Sequence, residues 1–288
     1  MTWWLERLRD GPALLLDGAT GTELERRGEA SELPLWSAHA LTRVPELVLR
    51  IHTDYASAGA ELLTANSFRT QRRTLARGGL GERAAELTAR AVGLARSAAL
   101  GAPRPVAVLG SAPPLEDCFR PDLVPGPEAL LREHAEHAEN LARAGVDGVL
   151  IETMNSLREA AAALSAAHET GLPALVSFVC WDGARLLSGE PLEAALSALG
   201  ARPPAALLVN CLPPSNAGPC LRALAASGLP FGLYPNLIGA GDAPKRTALR
   251  PETFAPLARG WLAAGARIVG GCCGTTPDHV RAVAQLQR

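Results

Sequence analysis

Short runs of almost wholly apolar residues alternate along the chain with longer Ala/Leu/Arg stretches, and the cycle recurs eight times. The runs are ALLLDGA (13–19), ELLTANS (61–67), VAVLGSA (106–112), GVLIETM (148–154), ALVSFVC (174–180), AALLVNC (205–211), FGLYPN (231–236) and RIVGGCC (267–273). Near-continuous apolar character over so few residues predicts parallel strands covered on both faces, not strands with one wet face. Between them, ELVLRIHTDYASAG (46–59), EALLREHAEHAENLARAG (128–145) and LREAAAALSAAHETG (157–171) have the spacing of amphipathic helices. Gly59, Gly145, Gly171 and Gly265 stand just ahead of a strand, where glycine stops a helix. Eight strand–helix units with right-handed crossovers predict an α/β fold, a single (β/α)8 TIM barrel occupying residues 1–288. The competing architecture is a doubly wound open sheet. Its dinucleotide-binding version needs a Gly-x-Gly-x-x-Gly after the first strand, which this chain lacks.

In such a barrel the chemistry gathers at the carboxyl ends of the strands. Those ends carry Asp17, Asn66, Ser111, Glu152, Cys180, Cys211, Asn236 and the adjacent pair Cys272 and Cys273. Neighbouring side chains of a regular strand point to opposite faces, so two consecutive sulfurs can share a target only if the strand bends. Gly270, Gly271 and Gly274 supply that freedom. With Cys211 from the sixth strand they make three thiols, the ligand number of a catalytic zinc that keeps one position open. The plainer alternative is a small buried cysteine pair. A disulfide between adjacent cysteines closes a strained ring and is disfavoured. Glu152 ends an apolar strand, and a buried carboxylate without a partner is costly. Asp17 in DGATGT also suits a turn or helix cap, and Asn66 suits a backbone hydrogen bond as well as a ligand.

Composition narrows the partners. The 288 residues are 48% hydrophobic and 20% charged, with a formal net charge of −1, so nothing marks a surface for nucleic acid or an anionic membrane. No apolar run approaches a membrane span, and MTWWLERLRDGP has no signal-peptide core, which together predict a cytoplasmic protein with small-molecule partners. In that compartment the six cysteines are not expected to form structural disulfides. Cys118, Cys180 and Cys220 are expected to serve packing or loops, His134 and His137 to lie on a solvated helix face, and His279, after TTPD, to be structural.

LLLDGATGTELERRG (14–28), AGAELLTANSF (58–68), IETMNS (151–156), LVNCLPP (208–214), YPN (234–236) and GGCCGTTPDHVRA (270–282) resemble, in type and order, the homocysteine-binding barrel of the homocysteine S-methyltransferase family. The resemblance implies a zinc-dependent (β/α)8 enzyme that methylates the sulfur of homocysteine to give methionine. By position it makes Cys211, Cys272 and Cys273 the zinc ligands, with Asp17 and Glu152 as the carboxylates that hold the substrate ammonium. The backbone amides of Gly18, Ala19 and Thr20 would receive the substrate carboxylate, and Asn66 would belong to the same site. Asn236 becomes a candidate for the fourth zinc position at rest, alongside water.

Two stretches depart from the better-known members. GSAPPLEDCFRPDLVPGP (110–127) and NLIGAGDAPKRTALRPE (236–252) are both expected to form loops over the barrel mouth. The chain ends soon after its last expected helix, which leads to the expectation of no folate or cobalamin domain and a monomer. A small sulfonium donor follows, S-methylmethionine or S-adenosylmethionine. Betaine as donor, or another thiol or a selenol as acceptor, are the alternatives. A metal hydrolase on the same barrel would want histidine ligands at strand ends, where this sequence has none.

Overall fold

The computed structural model describes residues 2–199, 202–239 and 248–287. All eight expected strands form: β1 (Leu14–Leu15), β2 (Leu62–Ala65), β3 (Ala107–Ala112), β4 (Gly148–Met154), β5 (Ala174–Phe178), β6 (Ala206–Asn210), β7 (Phe231–Tyr234) and β8 (Ile268–Val269). Every pairing is parallel, in the order β1-β8-β7-β6-β5-β4-β3-β2, and a parallel bridge from Leu16 to Leu62 brings the last strand back to the first. The sheet therefore closes on itself, and the open-sheet alternative falls. The three helices read from the sequence lie at Pro45–Ala58, Pro127–Ala144 and Leu157–Glu169. Gly145 ends the second of these in the left-handed region, at φ 83° and ψ 41°.

The uniform apolar runs conceal an alternation. Leu16, Leu62, Leu109, Leu150, Leu175 and Leu208 pack into the barrel interior, while their neighbours Leu15, Leu63, Val108, Val149, Val176 and Val209 pack outward with the helices. An unanticipated helix, Trp3–Asp10, closes the amino-terminal end of the barrel by sending Trp4 and Leu8 into the interior cluster. Arg267 holds it there, donating to the carbonyls of Leu8 at 3.1 Å and Arg7 at 3.0 Å. One end of the barrel is thus filled with hydrocarbon, and polar side chains collect at the other.

His134 and His137 overturn an expectation. Both are buried, on the inner stripe of Pro127–Ala144 that also carries Leu130, Ala138 and Leu141. His137 Nε2 lies 3.0 Å from the Ser111 carbonyl, and His134 Nε2 lies 3.4 Å from Glu159. Helical spacing put these imidazoles on the apolar face, and nearby acceptors make that burial affordable. The long segment after β3 is an ordered loop. Gln71 donates to the carbonyls of Pro114 and Leu115, Asn155 donates to Cys118, and Arg158 donates to Val124. Of the second expected mouth loop, residues 240–247 lie outside the described residues. No helix among the described residues is long and apolar enough to cross a membrane.

Candidate metal centre

Cys211, Cys272 and Cys273 meet at the polar end of the barrel, with their Sγ atoms all within 4.8 Å of one another. Cys211 follows the last residue of β6 in the left-handed region, at φ 53°. A residue with a β-carbon held there costs roughly 1–3 kcal/mol, so its surroundings must enforce it. They do so from both sides: the Cys211 N–H donates to the Tyr234 carbonyl at 3.2 Å, and the Asn236 N–H donates to Leu212 at 2.9 Å. Beyond β8, pairing continues irregularly. Gly271 donates to Asp17 at 3.0 Å and Cys272 to Pro235 at 2.9 Å. Gly271 has no room for a side chain, because a Cβ would lie 2.3 Å from Thr275. The expected bend is therefore real, and it turns two consecutive sulfurs toward a third.

The three thiols share their protons unequally. Hydrogen bonds from Cys211 and Cys272 hold Cys273 well below the ordinary thiol value, whereas Cys211 is pushed up by its hydrogen bonds to Cys272 and Cys273 and by burial. Such a cluster takes one negative charge readily and resists the next. A soft divalent cation fits it, since thiolate ligands release their protons on binding. Asn236 Nδ2 donates to Cys211 Sγ at 3.3 Å and to the Gly239 carbonyl at 2.9 Å, while its Oδ1 accepts from the Ile238 N–H at 2.9 Å. In this orientation it is a donor to sulfur. Facing its oxygen toward a cation would require the amide to turn and give up both backbone bonds.

Two buried carboxylates lie at the same end of the barrel, Asp17 just beyond β1 and Glu152 in β4. Asp17 accepts from the Thr64 N–H at 2.8 Å and the Thr64 hydroxyl at 3.0 Å. Glu152 accepts a short bond from the Ser111 hydroxyl and one of 3.2 Å from the Tyr234 hydroxyl. Burial pushes Glu152 up to about 7, against the Ser111 hydrogen bond. Burial also carries Asp17 well above the carboxylate range, against its bonds to Thr64, and the charge of Glu152 adds to the rise. No cation pairs with either among the described residues. The β4 ladder slips just here: the register shifts between Ile151 and Met154, and Thr153 sits at φ 59°. Asn210 braces that bulge, accepting from the Thr153 N–H at 3.0 Å and donating to its hydroxyl at 2.8 Å.

The loop after β1 is stitched to the cysteine loop. The Tyr55 hydroxyl is shared between the carbonyls of Ala19 at 2.9 Å and Thr275 at 3.0 Å. Thr275 Oγ1 accepts from the Ala19 N–H at 3.1 Å and donates to Cys272 at 2.6 Å, while the Gly274 N–H donates to Thr22 at 3.0 Å. Of the three amides expected to receive a carboxylate, Ala19 is thus already engaged. The N–H groups of Gly18 and Thr20 have no acceptor among the described residues. Gly18 is glycine for lack of space: a Cβ would lie 2.7 Å from both the Tyr55 hydroxyl and Thr275 Oγ1.

With this geometry in place, a family model described as homocysteine S-methyltransferase matches residues 14–286. The chain belongs to the homocysteine S-methyltransferase family. It is 37% identical to the homocysteine S-methyltransferase of Escherichia coli, over 94% of each chain. It is 32% identical to homocysteine S-methyltransferase YbgG of Bacillus subtilis, over 96% of this chain and 95% of that one. Among solved structures it resembles the metallated form of the E. coli homocysteine methyltransferase MmuM, with a TM-score of 0.85 and 33% identity over 98% of each chain. Family membership makes the protein a methyltransferase enzyme.

The remaining expected residues separate. Asn66 donates to the Ser37 carbonyl at 2.9 Å, the backbone bond that its sequence also allowed. Cys180 and Cys220 are buried against each other, and Cys118 is buried in the loop after β3. His279 caps the helix Pro277–Ala284 in a reciprocal pair with Thr276. Sequence reasoning missed Thr64, Asn210, Tyr234, Tyr55 and Thr275, although all but Tyr55 stood inside recognised motifs. For the first two the signal was parity. Thr64, Ser111, Glu152, Ser177 and Asn210 each stand two residues after an inward-facing leucine, and so form the next interior layer.

Proposed function

We propose that the protein transfers a methyl group from a small sulfonium donor, S-methylmethionine or S-adenosylmethionine, to the sulfur of homocysteine, giving methionine, with zinc held by Cys211, Cys272 and Cys273. The observation that carries the proposal is the convergence of three thiols at the barrel mouth within 4.8 Å of one another. The donor set suits zinc, which binds thiolates and in catalytic sites keeps a position for substrate. Bound zinc would supply a substrate thiolate at neutral pH, where a free thiol is only a few per cent ionised.

The chain's own residues do the rest. Three cysteine thiolates carry more negative charge than the ion's two positive charges, which keeps the substrate sulfur electron-rich. Asp17 and Glu152, buried without a cationic partner among the described residues, are suited to the substrate ammonium, whose charge would offset their desolvation. The N–H groups of Gly18 and Thr20, without acceptors among the described residues, are suited to its carboxylate. In the transfer, the donor's S–CH3 bond breaks as the homocysteine S–CH3 bond forms, and the electron pair stays on the donor sulfur. The donor leaves as a neutral thioether, so the site needs no general acid. Holding both partners in line is the main catalytic contribution.

The test is zinc content together with methyl transfer to homocysteine from each donor, in the wild type and in Cys211→Ser. About one zinc per chain and activity with a sulfonium are expected of the wild type, and loss of both of the variant. A variant that keeps full zinc and full activity would overturn the assignment.

A further inference from the structure

The chain leaving β7 holds all three cysteines by their backbone. The Tyr234 carbonyl accepts from the Cys211 N–H at 3.2 Å, and the Pro235 carbonyl accepts from the Cys272 N–H at 2.9 Å. Two residues on, the Leu237 N–H donates to the Cys273 carbonyl at 2.8 Å. Tyr234 also reaches away from the sulfurs. Its hydroxyl donates to Glu152 Oε2 at 3.2 Å, so one residue bonds to a cysteine through its main chain and to the carboxylate through its side chain.

That side-chain bond crosses the barrel. Tyr234 ends β7 and Glu152 lies in β4, and β6 and β5 stand between them in the sheet. The buried ring belongs to the interior cluster, and Cys272 packs against the same cluster. Ser111, in β3, anchors the other carboxylate oxygen, Glu152 Oε1. Each oxygen of Glu152 therefore has one hydroxyl donor, and only the one from Tyr234 comes from the segment that holds the cysteines. A phenol keeps its proton at neutral pH and turns on only two side-chain torsions, which makes it a stiff donor.

We propose that the Tyr234 hydroxyl is a positioning group that fixes the reach from the cysteines to the Glu152 carboxylate, and thereby selects the chain length of the thiol acceptor. The proposal rests on the homocysteine reading above. An amino-acid thiol held by its sulfur at the cysteine site and by its ammonium at Glu152 must span a gap that this bond keeps constant. Cysteine is one methylene shorter, so satisfying one end leaves the other short of its partner, and a buried charge left unpaired is costly. Without the phenol hydroxyl, Glu152 keeps Ser111 alone. A carboxylate anchored at one oxygen can turn and follow a shorter substrate.

The test is calorimetric binding of homocysteine, cysteine and 4-mercaptobutanoate (the homocysteine skeleton without its ammonium) to the zinc-loaded wild type, Tyr234→Phe, Glu152→Gln and the double variant. Tyr234→Phe should weaken homocysteine by roughly 10-fold, as expected for a lost hydrogen bond to a charged group. It should leave zinc content and 4-mercaptobutanoate affinity unchanged and narrow the preference for homocysteine over cysteine. In the Glu152→Gln background the same substitution should add little, because the hydroxyl acts through that carboxylate. Loss of zinc from Tyr234→Phe, equal weakening of all three thiols, an undiminished preference over cysteine, or full additivity in the double variant would overturn the proposal. A wild type that binds no zinc or no homocysteine would sink the underlying reading along with it, whereas wild-type binding by Tyr234→Phe sinks this proposal alone.

Discussion

Replacing Glu152 by Gln should stabilise the metal-free protein at neutral pH while weakening its hold on homocysteine. The carboxyl is buried and raised from 4.5 to about 7, chiefly by loss of solvent. The folded chain therefore keeps a proton that the unfolded chain gives up between pH 4.5 and about 7. Stability must fall as pH rises through that window and then level off. At about 1.4 kcal/mol per pKa unit, the cost of ionised Glu152 to the fold is roughly 3 kcal/mol. Gln keeps the shape and one acceptor for Ser111, and the Tyr234 hydroxyl can rotate to accept from the new amide, so the rearrangement costs about 1 kcal/mol. The variant should come out about 2 kcal/mol more stable at pH 8 and lose that advantage as pH falls toward 4.5, where the folded wild-type carboxyl is protonated and the unfolded one is regaining its proton.

Urea unfolding of the metal-free proteins at pH 5 and pH 8 measures this directly. Part of the pH slope should survive in the variant, because burial raises Asp17 as well. In the metal-loaded enzyme the same substitution should raise the KM for homocysteine by roughly 10- to 100-fold, one charged partner of its ammonium being gone. A variant no more stable than wild type at pH 8, or a wild type whose stability is flat from pH 5 to pH 8, would refute the reasoning. Either result would mean that Glu152 is not a charge awaiting a cation.

Two further substitutions probe the loop that joins Gly18 to the cysteines. Gly18→Ala puts a methyl group 2.7 Å from Tyr55 and Thr275, so it should cost roughly 1–3 kcal/mol of stability and raise the KM for homocysteine; unchanged unfolding and an unchanged KM would show that the loop can yield. Tyr55→Phe leaves the buried Ala19 and Thr275 carbonyls without their shared donor. It should cost roughly 1–3 kcal/mol by denaturant unfolding and lower the protein's affinity for zinc in competition with a chelator; an affinity equal to that of wild type would separate this hydroxyl from the cysteine loop.

The barrel was legible because burial on both faces writes each strand as an apolar run, and the cysteines were legible because consecutive sulfurs among glycines contradict a regular strand. The same burial erased the information about which residue faces inward. Leu62 and Leu63 are chemically alike, yet one packs against the barrel interior and the other against helices. Only the three-dimensional arrangement, with Trp4 entering from below, settles the parity that identifies Thr64 and Asn210 as site residues. His134 and His137 break the expectation because a polar side chain is no guarantee of exposure, and their helical spacing points inward.

The strained positions carry the remaining argument. Of the three non-glycine residues with positive φ among the described residues, Trp36 at 43° lies away from the sheet, whereas Thr153 at 59° lies in β4 and Cys211 at 53° directly follows β6. Asn210 connects them: its side chain braces Thr153, beside Glu152, and its own backbone leads directly into Cys211. A barrel selected for stability alone would relax both sites with glycine, gaining part of the roughly 1–3 kcal/mol that each costs. A glycine at 211 would have no sulfur to offer, and a relaxed β4 would aim the Glu152 carboxylate elsewhere. The strain at these two positions therefore fixes a thiol relative to a carboxylate, the arrangement that the proposed binding of homocysteine through its sulfur and its ammonium would require.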